Sequence, residues 1–255
     1  MAGEAAPRLL WRRLWRTPVL IGWLLLIVPM CLPHYLSGRE LPGRFRRFCY
    51  ARVCRIAGIR VRVSGRPLDG PGVLFAANHV SYIDIVALGA ALDAHFVAKS
   101  EVARWPLFGH LARLSGSLFI DRDRRQALTQ SSRLATHLSR GRRLCLFPEG
   151  TSSDGRQVLS FKSALFHGLT GAGACIQPVT VAYRNDPDAR YAWHGEMTLV
   201  PHLLDILGRR GVEVELMFHP PVEPKAFASR KILARHVEQQ VRAGLDGNPE
   251  TAQVA

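Results

Sequence analysis

From residue 60 onward the chain switches repeatedly between two hydrophobic periods. Arg60-Val61-Arg62-Val63 alternates polar and apolar, which predicts a strand at a sheet edge with one wet face. Val73 to Ala77 is an unbroken apolar run, short enough for a strand buried on both faces. Further strand-like runs fall at 94–98, 117–120, 143–147, 175–183, 196–200 and 212–218. Helical spacing covers 82–92, 102–114, 124–139, 160–170, 202–209 and 229–244. Strands that alternate with helices predict an α/β fold, a mixed and partly parallel sheet flanked by helices. Residues 59–245 are the expected folded domain, and 246–255 read as a frayed tail.

Residues 1–58 follow a different pattern. Fourteen consecutive uncharged, mostly aliphatic residues run from Val19 to Leu32, with Trp23 among them and Trp11 and Trp15 just ahead. The first 60 residues hold eleven arginines and no lysine, against Glu4 and Glu40. Arginine and tryptophan around an apolar run fit a membrane interface. A span needs about 20 residues. Pro29 and Pro33 are expected to kink or end the run. Arginine also flanks it on both sides, against the positive-inside tendency of a single span. The expectation is a helix or helical hairpin that enters one leaflet and returns; a short span and an uncleaved anchor are the alternatives. No small-x-small cleavage site follows Leu32.

Charge enlarges this picture. The chain has 255 residues and a formal net charge of +14, which calls for an anionic partner. A nucleic-acid reader would interleave basic and aromatic residues on one face. Here the basic residues gather around an apolar segment, so an anionic bilayer surface is the expected partner and nucleic acid is not. The five cysteines, Cys31, Cys49, Cys54, Cys145 and Cys175, contain no Cys-x-x-Cys pair, which gives no zinc site and suits a reducing compartment. No metal is expected.

The chemistry concentrates in Asn78-His79-Val80-Ser81-Tyr82-Ile83-Asp84, just past the run at 73–77. Histidine is the usual general base near neutral pH, and a carboxylate on its other ring nitrogen fixes the tautomer. Five residues on a helix is about 500° of rotation, so His79 and Asp84 cannot share a helix face. His79 is therefore expected in the loop that leaves the strand, with Ser81 capping the helix and Asp84 in its first turn reaching back. Ser81 lacks the glycines of a nucleophile elbow. Direct attack by a hydroxyl deprotonated by His79 is preferred to a covalent acyl-enzyme.

Three further segments follow in order. Gly116-Ser117-Leu118-Phe119-Ile120-Asp121-Arg122 ends on an arginine able to hold a phosphate bidentately. Phe147-Pro148-Glu149-Gly150-Thr151-Ser152-Ser153 makes a turn in which Gly150 permits positive φ and close backbone approach. Cys175-Ile176-Gln177-Pro178-Val179-Thr180-Val181-Ala182-Tyr183 carries a proline inside a strand, which implies an edge or a bulge.

Together these four segments resemble the glycerolipid acyltransferase family, the lysophosphatidic acid acyltransferases and their relatives, over residues 60–220. The resemblance implies the glycerol-3-phosphate acyltransferase-like fold. It implies His79 and Asp84 as catalytic residues and Asn78, Arg122, Glu149, Gly150, Thr151 and Pro178 as substrate-binding ones. Glu149 would accept a hydrogen bond from a substrate hydroxyl or orient its loop. The donor would be acyl-CoA or acyl carrier protein, with no further cofactor. The acceptor expected first is 1-acyl-sn-glycerol-3-phosphate, with lyso-ornithine lipid or another lysophospholipid as the alternative. Because such donors are cytoplasmic, the expected place is the cytoplasmic face of the inner membrane. One departure is Gln177, where the family pattern has an aliphatic residue. Tyr191-Ala192-Trp193-His194-Gly195-Glu196-Met197 looks like the bacterial branch that includes lyso-ornithine lipid acyltransferases. A non-catalytic membrane-binding protein of the same fold is the alternative from a different class. Loss of His79 or Asp84 would mark it, and both are present.

Overall fold

The structure, a computed structural model, describes residues 6–105, 108–120, 127–169 and 171–247. Seven strands, β1 (Ile59–Ser64), β2 (Val73–Ala77), β3 (His95–Lys99), β4 (Leu118–Ile120), β5 (Leu144–Leu146), β6 (Cys175–Tyr183) and β7 (Val212–Phe218), form one sheet in the order β1-β7-β6-β2-β5-β3-β4. Every neighbouring pair is parallel except β6 with β7. The mixed sheet expected from the alternating elements is present, and β1 is its edge.

Alternation along β2 shows how the sheet splits its core. Val73, Phe75 and Ala77 point into one apolar layer, and Leu74 and Ala76 into the other. The first layer is closed by α2 (Gly43–Ala57), α3 (Tyr82–Ala91) and α6 (Leu199–Gly208) through Cys54, Ala87 and Ile206. The second is closed by α5 (Ala127–Ser139) and α7 (Arg230–Leu245) through Leu134, Leu138, Leu233 and Val237. With both faces covered, β2 is buried along its whole length, as its unbroken apolar sequence requires.

Several elements differ from expectation. The strand expected at 196–200 is absent, and α6 begins at Leu199 instead. Pro201 sits in its first turn, where a missing N–H costs nothing, and Ile206 and Leu207 turn its helical stripe into the core. The helix expected at 160–170 shrinks to a 3-10 turn, Ser163–Phe166, ahead of Gly168 at φ 74°. The one at 102–114 divides into a 3-10 turn, Ser100–Arg104, and α4 (Phe108–Leu114). Pro106 lies between them in the sequence and disfavours helical backbone before it.

Pro178 is not at a sheet edge. It lies in β6, between β2 and β7, where the β7 ladder has run out: pairing begins at Val179↔Phe218. Beyond it Ile176 bonds Val222 instead. Proline is tolerated because the lost donor falls in this gap.

At the N-terminus α1 (Ala6–Leu36) is one helix of 31 residues that runs through Pro18, Pro29 and Pro33. All three prolines are on its exposed side. The other side, with Leu20, Ile27 and Cys31, packs on the domain and supports the helix. The chain reverses after Leu36, at residues 37–42, rather than at the prolines, and α2 returns against α1. Trp23 meets Phe48 edge-on at 5.8 Å, and the Arg52 guanidinium lies 5.8 Å from the Trp23 ring centre.

Two of the eleven arginines of this segment are inside. Arg16 donates to Arg209 O at 2.7 Å and to Ala57 O at 3.3 Å, beside the C-terminal ends of α6 and α2, where a cation offsets the helix dipoles. Arg46 pairs with Asp93 at 2.5 Å and lies 2.9 Å from His95 Nδ1. Burial and the neighbouring Arg46 charge hold the His95 pKa below its ordinary value.

Candidate active site

β2 ends at Ala77 and α3 begins at Tyr82, so His79 stands in the strand-exit loop, as the spacing argument requires. Its Nδ1 is 2.8 Å from Asp84 Oδ2. Carboxylate oxygen only accepts, so Nδ1 carries the hydrogen and Nε2 presents a lone pair. Nε2 has no hydrogen-bond partner among the described residues. The ring is stacked on Phe147, with centroids 4.1 Å apart and planes 17° apart.

Asp84 is fully buried and heavily held. Oδ2 also accepts the Val80 N–H at 2.7 Å and the Ser81 N–H at 2.9 Å, and Oδ1 accepts the Tyr183 hydroxyl at 2.6 Å. The bond to Ser81, the N-cap residue, makes Asp84 part of the helix start. One carboxylate thus starts α3, shapes the loop and fixes the imidazole. Tyr183 was not legible as a site residue, since it lies almost a hundred positions away at the end of β6.

Asn78 is bonded to the backbone of β6. Its side-chain Nδ2 donates to Val181 O at 2.9 Å, and its Oδ1 accepts Val181 N–H at 2.7 Å. The amide extends the β2–β6 ladder by one rung, and the residue is 1% exposed. This geometry gives the Asn78 amide a part in holding the root of the loop.

The Phe147–Ser153 turn packs against the same loop. Gly150 adopts φ 75°, which only glycine takes at no cost, and the Lys162 side chain lies over it. The Ser153 N–H donates to His79 O at 2.9 Å, and Thr151 is exposed at the turn. Glu149 is buried; Oε1 accepts the Leu159 N–H at 3.2 Å, while Oε2 has no hydrogen-bond partner among the described residues. The loop-orienting alternative for Glu149 therefore has a visible bond. Arg122 lies outside the described residues, as do Arg124 and Arg125.

Desolvation pushes the Glu149 pKa up to about 8 from its ordinary 4.5, against the lowering effect of the nearby Leu159 and His79 backbone N–H groups. A carboxyl whose pKa is raised on folding keeps a proton that the unfolded chain releases. Its stabilising contribution is present below about pH 4.5 and declines as pH rises toward 8. Glu149→Gln keeps a neutral side chain of the same shape. It is expected to flatten the fall in thermal midpoint between pH 5 and 8 relative to wild type. Parallel curves for the two proteins would show that Glu149 is ionised when folded.

The Tyr191–Met197 string comes to the rim of the site. The Trp193 N–H donates to Val80 O at 2.9 Å, and the Ser152 hydroxyl donates to Trp193 O. The Trp193 ring meets Tyr82 at 5.8 Å and Trp105 at 6.0 Å, both edge-on.

The chain is similar to known proteins over most of its length. The family model described as Acyltransferase matches residues 60–182. The solved structure of a 1-acyl-sn-glycerophosphate (LPA) acyltransferase, PlsC, from Thermotoga maritima superposes with a TM-score of 0.66 at 25% identity, over 97% of this chain and 98% of that one. Fold and family model together define an O-acyltransferase. A lyso-ornithine lipid O-acyltransferase from Rhodobacter capsulatus is 44% identical over 207 residues, 76% of this chain and 74% of that protein. One from Pseudomonas aeruginosa is 39% identical over 254 residues, 95% and 96% of the two chains. The chain belongs to the glycerolipid acyltransferase family.

Proposed function

We propose that the enzyme moves a fatty acyl group from a thioester donor, acyl-CoA or acyl carrier protein, to the free hydroxyl of a lysolipid. The observation that carries the mechanism is the His79 Nδ1–Asp84 Oδ2 bond of 2.8 Å with Nε2 left open. Nε2 takes the proton of the acceptor hydroxyl as its oxygen attacks the thioester carbonyl. The tetrahedral adduct collapses, the C–S bond breaks, and the imidazolium returns the proton to the departing thiolate. Asp84 stabilises the imidazolium in between and prevents the ring from turning. Tyr183 and the Val80 and Ser81 N–H groups hold Asp84 in place. The second expected role of Glu149, orienting the 150–159 loop, is supported by its bond to Leu159.

For the acceptor we favour lyso-ornithine lipid. Near end-to-end similarity to the Pseudomonas aeruginosa enzyme supports it. So does the Tyr191–Met197 string bonded to the His79 loop. The acceptor expected first from the motifs, 1-acyl-sn-glycerol-3-phosphate, is the second reading, favoured by the Thermotoga maritima likeness. A head-to-head assay decides between them. A kcat/KM at least tenfold higher for lyso-ornithine lipid, about 1.4 kcal/mol of transition-state stabilisation, is expected. The reverse ratio would return the choice to lysophosphatidic acid and leave the acyl-transfer reading standing.

The substrates live in a bilayer, and α1 is suited to reach one. Its exposed side from Leu14 to Leu36 includes Leu14, Trp15, Ile21, Leu25, Leu26 and Leu36 and carries no Asp, Glu, Lys or Arg. A water-facing helix would be the other way round. Because α1 lies against α6, α2 and α4 along its length, we infer that it beds sideways into one leaflet, on the cytoplasmic face where thioester donors are made. Leu25→Glu with Leu26→Glu should release most of the protein from vesicles without loss of fold. Raised salt alone should release only part, since apolar insertion is not screened. Full release of wild type by salt would show that α1 does not insert.

A further inference from the structure

Phe147 is buried at the exit of β5, the strand paired with β2. Its ring lies flat against the His79 imidazole, with centroids 4.1 Å apart and planes 17° apart. Among the described residues this is the one face-to-face ring pair; the others meet edge-on or tilted. The strands dictate the meeting. Leu146 pairs with Ala76, so Phe147 leaves β5 level with Ala77, and His79 follows two residues after Ala77. Ala77 and Phe147 belong to the same apolar layer, with Phe75 and Cys145 one alternation back. The backbone beyond the ring is tied as well. Phe147 O accepts the Gly150 N–H at 3.1 Å, and Pro148 O accepts the Lys162 N–H at 3.0 Å.

For a neutral imidazole a flat stack offers packing. For an imidazolium it offers more. The face of a phenyl ring is the negative pole of its quadrupole, and a cation within about 6 Å of the ring centre is attracted to it. An edge-on phenyl would turn its positive rim to the same cation. The His79 side chain is 16% exposed, so little water competes for the charge. That charge exists only once Nε2 has taken the acceptor proton. The attraction therefore grows toward the transition state and raises the rate of the chemical step rather than the affinity for substrate.

We propose that Phe147 is a positioning residue for acyl transfer, whose π face stabilises the His79 imidazolium. The proposal rests on His79 as the general base. Asp84 holds the ring at Nδ1, Phe147 covers one of its faces, and Nε2 is left as the working edge. Phe147 thus acts on the reaction through its electrons, beyond its share in filling the core.

The test changes the electrons of residue 147 and keeps its shape. In the full chain Phe147 is replaced by 4-fluoro-, 3,5-difluoro- and pentafluorophenylalanine, which progressively weaken the negative face. Single-turnover rates of acyl transfer to a lysolipid are measured with the acceptor KM. The rate is expected to fall with each step of fluorination, to a loss of about tenfold for the pentafluoro ring, the size of a desolvated cation–π contact. The acceptor KM should stay nearly constant. Phe147→Leu, which fills the space without a π face, should be as slow as the pentafluoro protein. Rates that do not follow the fluorine series would overturn the proposal, because packing alone does not track it. Repeating the series on His79→Ala separates the two claims. There the residual rate should be indifferent to fluorine, and a dependence that persists would mean that the ring acts elsewhere and the proposal is wrong. A slow His79→Ala together with a flat series in the His79 protein removes Phe147 and leaves the base standing. Near wild-type turnover by His79→Ala removes the base, and Phe147 with it.

Discussion

Replacing His79 with alanine is expected to slow acyl transfer by about 10²- to 10⁴-fold, the usual contribution of a positioned general base. The fold should survive. The ring is stacked on Phe147 and partly exposed rather than set in the core, and its bond to Asp84 is one of four that the carboxylate accepts. KM for the acceptor should move little, because the imidazole acts on the hydroxyl proton in the transition state and does not anchor a head group. Circular dichroism and thermal midpoint guard against misfolding. Near wild-type turnover in the alanine variant would remove His79 from the mechanism.

Asp84→Asn should come close to the same loss, and its geometry makes the experiment clean. The amide oxygen can take the place of Oδ2 and keep the bonds from His79, Val80 and Ser81. The amide nitrogen then faces the Tyr183 oxygen and can donate to it. What disappears is the negative charge that stabilises the imidazolium. Because Asp84 works only through His79, the His79→Ala/Asp84→Asn double variant should be no slower than His79→Ala by more than about threefold. Residues that act as a unit are not additive. Losses that multiply in the double variant would mean that Asp84 acts on the substrate by a route of its own. Asp84→Ala is a different case. It would leave buried Val80 and Ser81 N–H groups unpaired, at about 1–3 kcal/mol each, and confuse stability with catalysis.

The parts of the site that were readable in the sequence are the local ones. His79 and Asp84 are five positions apart, and the rotation of a helix alone excludes a shared face and forces the histidine into the loop. Gly150 was readable because a turn there needs positive φ. The unreadable parts come from chain crossings. Tyr183 reaches Asp84, Asn78 pairs with Val181, and Trp193 bonds Val80 only because β2 and β6 lie side by side. The backbone bonds of Asn78 had no local signal. The ladder rung it makes depends on a strand about a hundred residues later.

The fold shows the same division. Strands buried on both faces announced themselves by unbroken apolar runs, and β1 announced its edge position by alternation. Met197 to Val200 misled because a short apolar run has no period of its own, and tertiary packing chose helix. The N-terminal prolines misled for a related reason. Local cost argued for a break, but α1 continues as one helix packed along α2, α4 and α6. Charge counting treated all eleven arginines alike, whereas Arg16 and Arg46 are buried and hold elements together.

The central claim is that a lysolipid hydroxyl is acylated at His79. Its most direct measurement incubates purified full-length protein with lyso-ornithine lipid or lysophosphatidic acid and either acyl-CoA or acyl carrier protein, and follows the lipids by mass spectrometry. The account predicts that one lysolipid gains one acyl group with wild type and gains it at least a hundredfold more slowly with His79→Ala, with no acyl group left on the protein. No product from either lysolipid with either donor, or an acyl adduct that stays on wild-type protein until the acceptor is added, would contradict it.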